Sequence, residues 1–259
     1  KPWVNRTISG QYAPGSTYKI VTALAALREE KTTPKENVLC PGYYKIGRHT
    51  WRCWKESGHG HVALKDALKG SCDTYFYTMG DRVGIDAMAQ AARLLGFGSR
   101  TGIRLRNEKP GIAPDRAFHD RVDKSTGGYQ RGMVVNSSIG QGSVLVTPLQ
   151  LALAYATIAN GGELLAPQIV QRIESADHRV QRCRLKHDEE GAEFVESDVL
   201  PGALPHNIKV LERKIKHKLE ISSEKLESIQ QGLIAVASEP GGTAYRRRSR
   251  IVSMAGKTG

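Results

Sequence analysis

Apolar positions recur at helical spacing in several separate stretches of the chain. Ile20, Val21, Leu24 and Leu27, set among alanines, predict a helix over about 17–28. Pro14-Gly15 breaks the chain just before it, which puts Ser16 at or near the helix N-terminus. A short helical pattern from Leu64 to Lys69 stops at Gly70. A second spans Thr74 to about Val83, and a third, from Asp86 to Leu95, is closed by Gly96. Ser137 to Gly162 carries no charge, yet Gln141, Pro148, Gln150 and Asn160 interrupt it. A buried helix from about Thr147 to Ala159 is expected there, not a membrane span. Ser222 or Ser223, with Glu224 in the first turn, caps a helix reaching about Ala237.

The remaining stretches lack that period. Residues 31–61 are rich in Pro, Gly, Tyr, Trp and Cys and read as an irregular excursion, while 98–132 read as loop. Ile169–Ile173 and Arg250–Ala255 read as strands. Residues 174–220 alternate basic and acidic blocks, as expected of a surface insertion or small subdomain. The sum is an α+β (mixed α/β) fold with a sheet beside a helical bundle.

A chain of 259 residues can bury a real core, and 39% hydrophobic with 25% charged residues is ordinary for a soluble domain. The net charge of +12 favours an anionic partner. Lys1–Gly10 reads as mid-domain sequence, so any targeting segment or anchor is expected outside this sequence. Cys40, Cys53 and Cys72 crowd into the first third of the chain with His59 and His61 among them, while Cys183 is remote. Both a disulfide and a metal site fit that pattern.

Three short motifs carry candidate chemistry. In Ser16-Thr17-Tyr18-Lys19 the first and last residues share a helix face, and an amine of lowered pKa there can take the proton of a serine nucleophile. Ser71-Cys72-Asp73 lies between two predicted helices, where a turn can present a hydroxyl inward. Lys257-Thr258-Gly259 ends the last apolar alternation, with a cation for a substrate carboxylate and a glycine that lets a backbone approach closely. Each is weak alone. Their order and separations, 71 − 16 = 55 and 257 − 71 = 186 residues, are the stronger signal.

A serine–lysine, Ser-Asp-Asn and Lys-Thr-Gly set marks β-lactamases and penicillin-binding proteins. From about Gly10 to Gly259 the chain resembles the class B penicillin-binding protein transpeptidases. The likeness rests on those motifs and on Tyr12-Ala13-Pro14-Gly15-Ser16-Thr17, Ser138-Ile139-Gly140-Gln141-Gly142 with Thr147-Pro148-Leu149-Gln150 after it, and Gly241-Gly242-Thr243-Ala244. Trp54 to Gly60 and Ser71 to Tyr77 look most like the elongation-type members. The resemblance implies the penicillin-binding, serine-transpeptidase fold, an antiparallel sheet flanked by helices, with this chain stopping after the Lys-Thr-Gly strand.

The activity implied is a peptidoglycan D,D-transpeptidase. Ser16 attacks a D-Ala–D-Ala stem peptide, Lys19 takes its proton, and Ser71 passes a proton to the departing D-alanine. Lys257, Thr258 and Gly259 bind the substrate, and one oxyanion donor is the Ser16 backbone N–H. The other lies beyond Gly259. Asp73 stands where division-type relatives usually have asparagine, and its carboxylate tends to keep a proton on Lys19. The partners implied are stem peptides, β-lactam antibiotics and a membrane glycosyltransferase of the elongation machinery, at the periplasmic face of a bacterial inner membrane. No nucleic acid and no organic cofactor are expected.

Two other readings fare worse. A β-lactamase of the commonest class needs a Glu-x-x-Leu-Asn segment, and Glu196 begins Glu-Ser-Asp-Val-Leu instead. A basic zinc-binding nucleic-acid module would use the charge and Arg246-Arg247-Arg248, but no nucleic-acid motif accompanies them.

A structural zinc ion is expected at Cys40, Cys53, His59 and Cys72, spaced Cys-x12-Cys-x5-His-x12-Cys. Three thiolates and an imidazole suit tetrahedral zinc. They bracket the excursion, 31–72, that most needs a staple. Some elongation-type relatives look to hold a metal here with carboxylates at certain positions. Cys72 would face away from the site that Ser71 and Asp73 face. The competing arrangement is a Cys40–Cys53 disulfide with Cys72 free, and His61 is the rival nitrogen ligand.

Overall fold

The computed structural model describes residues 4–169, 172–173, 181–187, 193–199, 209–210 and 214–259. Asn5 caps a one-turn helix, α1 (Arg6–Ser9), by accepting from the Thr7 N–H. After an extended link the chain enters a 3-10 turn, Gly15–Tyr18, that runs directly into α2 (Lys19–Arg28). Every residue of α2 from Lys19 to Leu27 is buried, because helices pack around it on all sides. An apolar helix of this kind forms the centre of a core rather than its edge.

The excursion that follows is more regular than its composition implies. Strands β1 (Val38–Cys40) and β4 (Gly60–Val62) pair antiparallel, with the hairpin β2 (Tyr43–Ile46) and β3 (His49–Arg52) inserted between them. Then come α3 (Leu64–Lys69), α4 (Asp73–Val83) and α5 (Ile85–Leu94), close to the helices expected from periodicity. Both α4 and α5 pack on α2.

The expected loop 98–132 instead contains α6 (Arg116–Val122), capped by Asp115 accepting from the Phe118 N–H at 2.8 Å, and the start of α7 (Arg131–Ser137). Helix α8 (Pro148–Ala159) begins with a reciprocal cap between Thr147 and Gln150. The Gln150 amide also donates to the carbonyls of Ser99 and Pro110, which explains a glutamine inside the core.

Beyond α8, β5 (Glu163–Leu165) pairs with β10 (Ile215–Lys218). Between them lie β6 (Arg172–Ile173) paired with β9 (Lys209–Val210), and the hairpin of β7 (Gln181–His187) with β8 (Glu193–Val199). The charged region read as irregular therefore holds paired strands; the rest of the insertion lies outside the described residues, and the Cys183 side chain is not described. Helix α9 (Ser223–Ser238), capped by Ser222, packs so tightly on α3 that a Cβ at Gly232 would fall 2.5 Å from Leu68 Cδ1.

Among the described residues the sheets are all two-stranded and antiparallel. The strand expected over Arg250–Ala255 does not form: no ladder pairs it among the described residues, and unpaired backbone gains nothing from being extended.

Candidate active site

Ser16 sits in the 3-10 turn, partly exposed, one turn before the fully buried Lys19. Three contacts fix this turn. Thr17 Oγ1 donates to the Pro14 carbonyl at 2.6 Å, the Tyr155 hydroxyl donates to the Thr17 carbonyl at 2.9 Å, and the Gly15 N–H donates to the Gly140 carbonyl at 3.0 Å. Gly140 has φ +70°, and a Cβ there would fall 2.4 Å from the Gly15 carbonyl oxygen. The Gly140-Gln141-Gly142 segment is thus pressed against the turn that carries Ser16 in a way only glycine permits.

Ser71 occupies a position that helix geometry reserves for glycine. Helix α3 ends in a Schellman turn: the Cys72 N–H donates to the Ala67 carbonyl and the Ser71 N–H to the Leu68 carbonyl. The residue at the left-handed position of that turn is Ser71, with φ +54°. A non-glycine residue there costs about 1–2 kcal/mol. The turn is held from outside, since the Trp54 indole N–H donates to the Ser71 carbonyl at 3.0 Å.

Lys19 converges on the same turn. Its ammonium donates to the Ser71 carbonyl at 2.9 Å, to Ser71 Oγ at 3.0 Å and to Asp73 Oδ1 at 2.6 Å. An ammonium has three protons, and all three are used. Asp73, the first residue of α4, accepts at its other oxygen from the Trp54 backbone N–H at 2.9 Å. Burial pushes the Lys19 amine below the ordinary lysine range, while Asp73 pulls it back up. Of the three acceptors, only the Ser71 hydroxyl can reverse and donate. Once Lys19 loses a proton, Ser71 is the partner able to feed its lone pair.

The opposite wall comes from the end of the chain. A Cβ at Gly259 would meet Thr17 Cγ2 at 2.8 Å and the Pro14 carbonyl oxygen at 3.2 Å, so the Lys-Thr-Gly segment lies directly against the turn that carries Ser16. Lys257 Nζ donates to the Thr258 carbonyl at 3.0 Å. Burial, then the charge of Lys19, lowers the Lys257 pKa to about 7, with Asp73 acting in the opposite sense. Lys257 therefore feels the buried Lys19–Asp73 pair, whose lysine Ser71 touches.

The penicillin-binding protein transpeptidase domain model matches residues 1–259. The chain belongs to this family. A peptidoglycan D,D-transpeptidase, MrdA, of Acinetobacter baumannii is 38% identical over 178 residues, which cover 68% of this chain and 26% of the relative. The chain thus spans about a quarter of that curated relative's length. Among solved structures, the PBP2–MreC complex of Helicobacter pylori matches with a TM-score of 0.75 and 28% identity, over 100% of this chain and 41% of the other. A structure of a peptidoglycan synthase complex that coordinates polymerization and crosslinking matches with a TM-score of 0.70 and 30% identity, over 99% and 37%.

This transpeptidase domain also gathers the four expected metal ligands. Cys40, Cys53, His59 and Cys72 place their ligand atoms within 4.8 Å of one another. His59 Nδ1 lies 3.5 Å from the sulfurs of Cys40 and Cys53, while Nε2 is buried without a partner. Bonds of about 2.3 Å to sulfur and 2.0 Å to nitrogen give tetrahedral edges of about 3.5–3.8 Å, so the residues fit zinc. The three cysteines are free thiols, which does not match the competing Cys40–Cys53 disulfide. His61 is outside the cluster, exposed on β4 opposite Leu39. The bond with Cys72 draws the Cys53 thiol well below the ordinary thiol range against the opposing effect of burial, with backbone N–H groups of Thr74, Lys55 and Asp73 also favouring a thiolate.

Two site residues had no catalytic signal in the sequence. Trp54 enters the sequence reading only as the start of a family-like segment in the excursion, yet it holds both Ser71 and Asp73. Thr243 stood out only as part of a family motif, and its hydroxyl meets that of Thr258 at 2.8 Å.

Proposed function

We propose that this chain is the catalytic part of a peptidoglycan D,D-transpeptidase. The observation that carries the reading is a wholly buried Lys19 whose one reversible partner is the Ser71 hydroxyl, one turn after the partly exposed Ser16. In the proposed reaction, Ser16 Oγ bonds to the penultimate D-Ala carbonyl carbon as neutral Lys19 takes the hydroxyl proton. The C–N bond to the terminal D-alanine then breaks, and that amine leaves with a proton relayed from Lys19 through Ser71. The Ser16 backbone N–H faces the oxyanion. Lys257 and Thr258 hold the terminal carboxylate, with Gly259 leaving room for the peptide backbone. An amine of a second stem peptide resolves the ester. A β-lactam acylates Ser16 in the same way, and its ring nitrogen is the leaving group. The name borne by the Acinetobacter relative supports this reading.

We also assign a structural zinc ion to Cys40, Cys53, His59 and Cys72. The metal would supply cross-linking only. Those residues would tie β1, the loop after β3 and the start of α4 together, and so brace Ser71 and Asp73 on either side of Cys72. A membrane glycosyltransferase is the proposed partner, on the strength of the similar synthase complex. Among the described residues no helix is long and apolar enough to cross a membrane. We propose that the domain works at the periplasmic face of the inner membrane.

The test is covalent labelling of the full-length protein. Benzylpenicillin should add once per chain, and peptide mapping should locate it on Ser16. An adduct that persists in Ser16→Ala overturns the assignment.

A further inference from the structure

Thr243 lies in the turn between α9 and the Lys-Thr-Gly segment, and that turn is bolted to the opposite wall of the cleft. Glu239, which ends α9, accepts from Lys65 at 2.5 Å and from Lys69 at 3.3 Å. Both lysines belong to α3, the helix whose C-terminal turn carries Ser71. The Thr243 N–H donates to the Lys69 carbonyl at 3.2 Å, two residues before Ser71. The Ala244 N–H donates to the Val236 carbonyl at 3.0 Å. A Cβ at Gly242 would lie 2.4 Å from the Val236 carbonyl oxygen, so the turn closes back on α9 as tightly as the backbone allows. The bond to Lys69 and the Glu239 ion pairs hold the backbone of this turn to the Ser71 side, the contacts with Val236 hold it to α9, and the exposed Thr243 side chain points across to Thr258.

We propose that Thr243 is a positioning residue for the substrate carboxylate, acting through Thr258. This rests on the reading that the site takes an anionic acyl donor. A hydroxyl has one proton to give and two lone pairs. When Thr243 donates to Thr258 Oγ1, the Thr258 proton is released to point at an incoming carboxylate, and the two bonds strengthen each other. Lys257 Nζ, 3.5 Å from Thr258 Oγ1, supplies the charge, and the Thr243–Thr258 pair supplies direction. Because the backbone of Thr243 is tied to Lys69, the pair also sets the spacing between the carboxylate anchor and Ser71.

The experiment compares wild type, Thr243→Val, Thr243→Ala and Thr243→Ser in the full-length protein. Acylation by benzylpenicillin is measured against concentration, beside the neutral methyl ester of the same compound. Thr243→Val and Thr243→Ala should raise the half-saturating concentration of benzylpenicillin roughly tenfold, the size of one lost hydrogen bond in a charge-assisted chain. The rate at saturation should change far less. The ester should react alike with all four proteins, and Thr243→Ser should restore wild-type behaviour. Equal losses with acid and ester, or a serine variant as weak as valine, would mean a purely structural role and overturn the proposal. So would an unchanged half-saturating concentration in both Thr243→Val and Thr243→Ala. A wild-type protein that is not acylated at all overturns the transpeptidase reading itself, and is told apart because no variant is needed to see it.

Discussion

Asp73 Oδ1 stands 2.6 Å from Lys19 Nζ, with the lysine side chain inaccessible to solvent and the aspartate side chain only 11% exposed. The pair is buried, and breaking it from one side leaves a charge without a partner. It also sets the resting protonation of the proposed base, since burial favours the neutral amine and Asp73 favours the ammonium.

Replacing Asp73 with asparagine should shift that balance. The carboxylate now accepts from both Lys19 and the Trp54 N–H, whereas an amide has one oxygen for two donors. Asp73→Asn should therefore cost about 1–3 kcal/mol of stability. With the negative charge gone, the Lys19 pKa falls further, so the acid limb of the acylation pH profile should move to lower pH. A limb that stays in place, or moves up, would show that Lys19 is not the titrating base.

Ser71 offers a test of strain at the site. Ser71→Gly and Ser71→Ala both remove the hydroxyl that Lys19 contacts, but glycine accepts φ +54° without penalty. The glycine variant should be more stable to urea than the alanine variant by about 1 kcal/mol, while both lose acylation to a similar degree. Equal stabilities would mean the left-handed conformation costs nothing here.

Carboxylate recognition should depend on pH through Lys257. Its pKa, lowered to about 7, leaves it charged below that value and neutral above it. The charged form attracts the anion, so the half-saturating concentration of benzylpenicillin should rise as pH passes from 6 to 8. The neutral ester should show no such rise. A flat dependence for the acid would place the Lys257 titration elsewhere.

Metal removal should be visible in composition and in stability. Protein purified without added metal should contain about one zinc per chain. Chelation should free the thiols of Cys40, Cys53 and Cys72 and lower Tm sharply, because binding at such a site contributes roughly several kcal/mol to folding. Zinc should restore both. A metal-free protein with an unchanged Tm would end the zinc assignment.

The glycine next to the Ser16 turn should tolerate no side chain. Gly140→Ala would push a methyl group to within 2.4 Å of the Gly15 carbonyl oxygen at a positive φ. About 2 kcal/mol or more of stability should be lost. Acylation should fall more than stability alone explains, since the displaced turn carries Ser16. Normal acylation kinetics would show that the turn can shift freely.

The sequence by itself located most of the helices and named the candidate groups of the site. Apolar periodicity and end signals located α2, α3, α4, α8 and α9 almost to the residue, because a helix is built from contacts three and four positions apart. It also marked Ser16, Lys19, Ser71, Asp73 and the four zinc-ligand candidates, through motif order and residue chemistry. Helix α6 was missed in a stretch crowded with glycine, proline and arginine, although Asp115 is a legible cap. What only the tertiary structure decided is everything that joins distant positions. Arg250–Ala255 alternates like a strand yet forms none, because a strand exists only with a neighbour. Four ligands spread over residues 40–72 meet within 4.8 Å because β1 folds back on β4 and the end of α3 returns to them. Trp54 reaches Asp73, and Thr243 reaches both Lys69 and Thr258, across separations that no local pattern encodes. A hydrogen bond between positions far apart in the chain depends on where packing delivers both partners, and so it can be read only after the chain has folded.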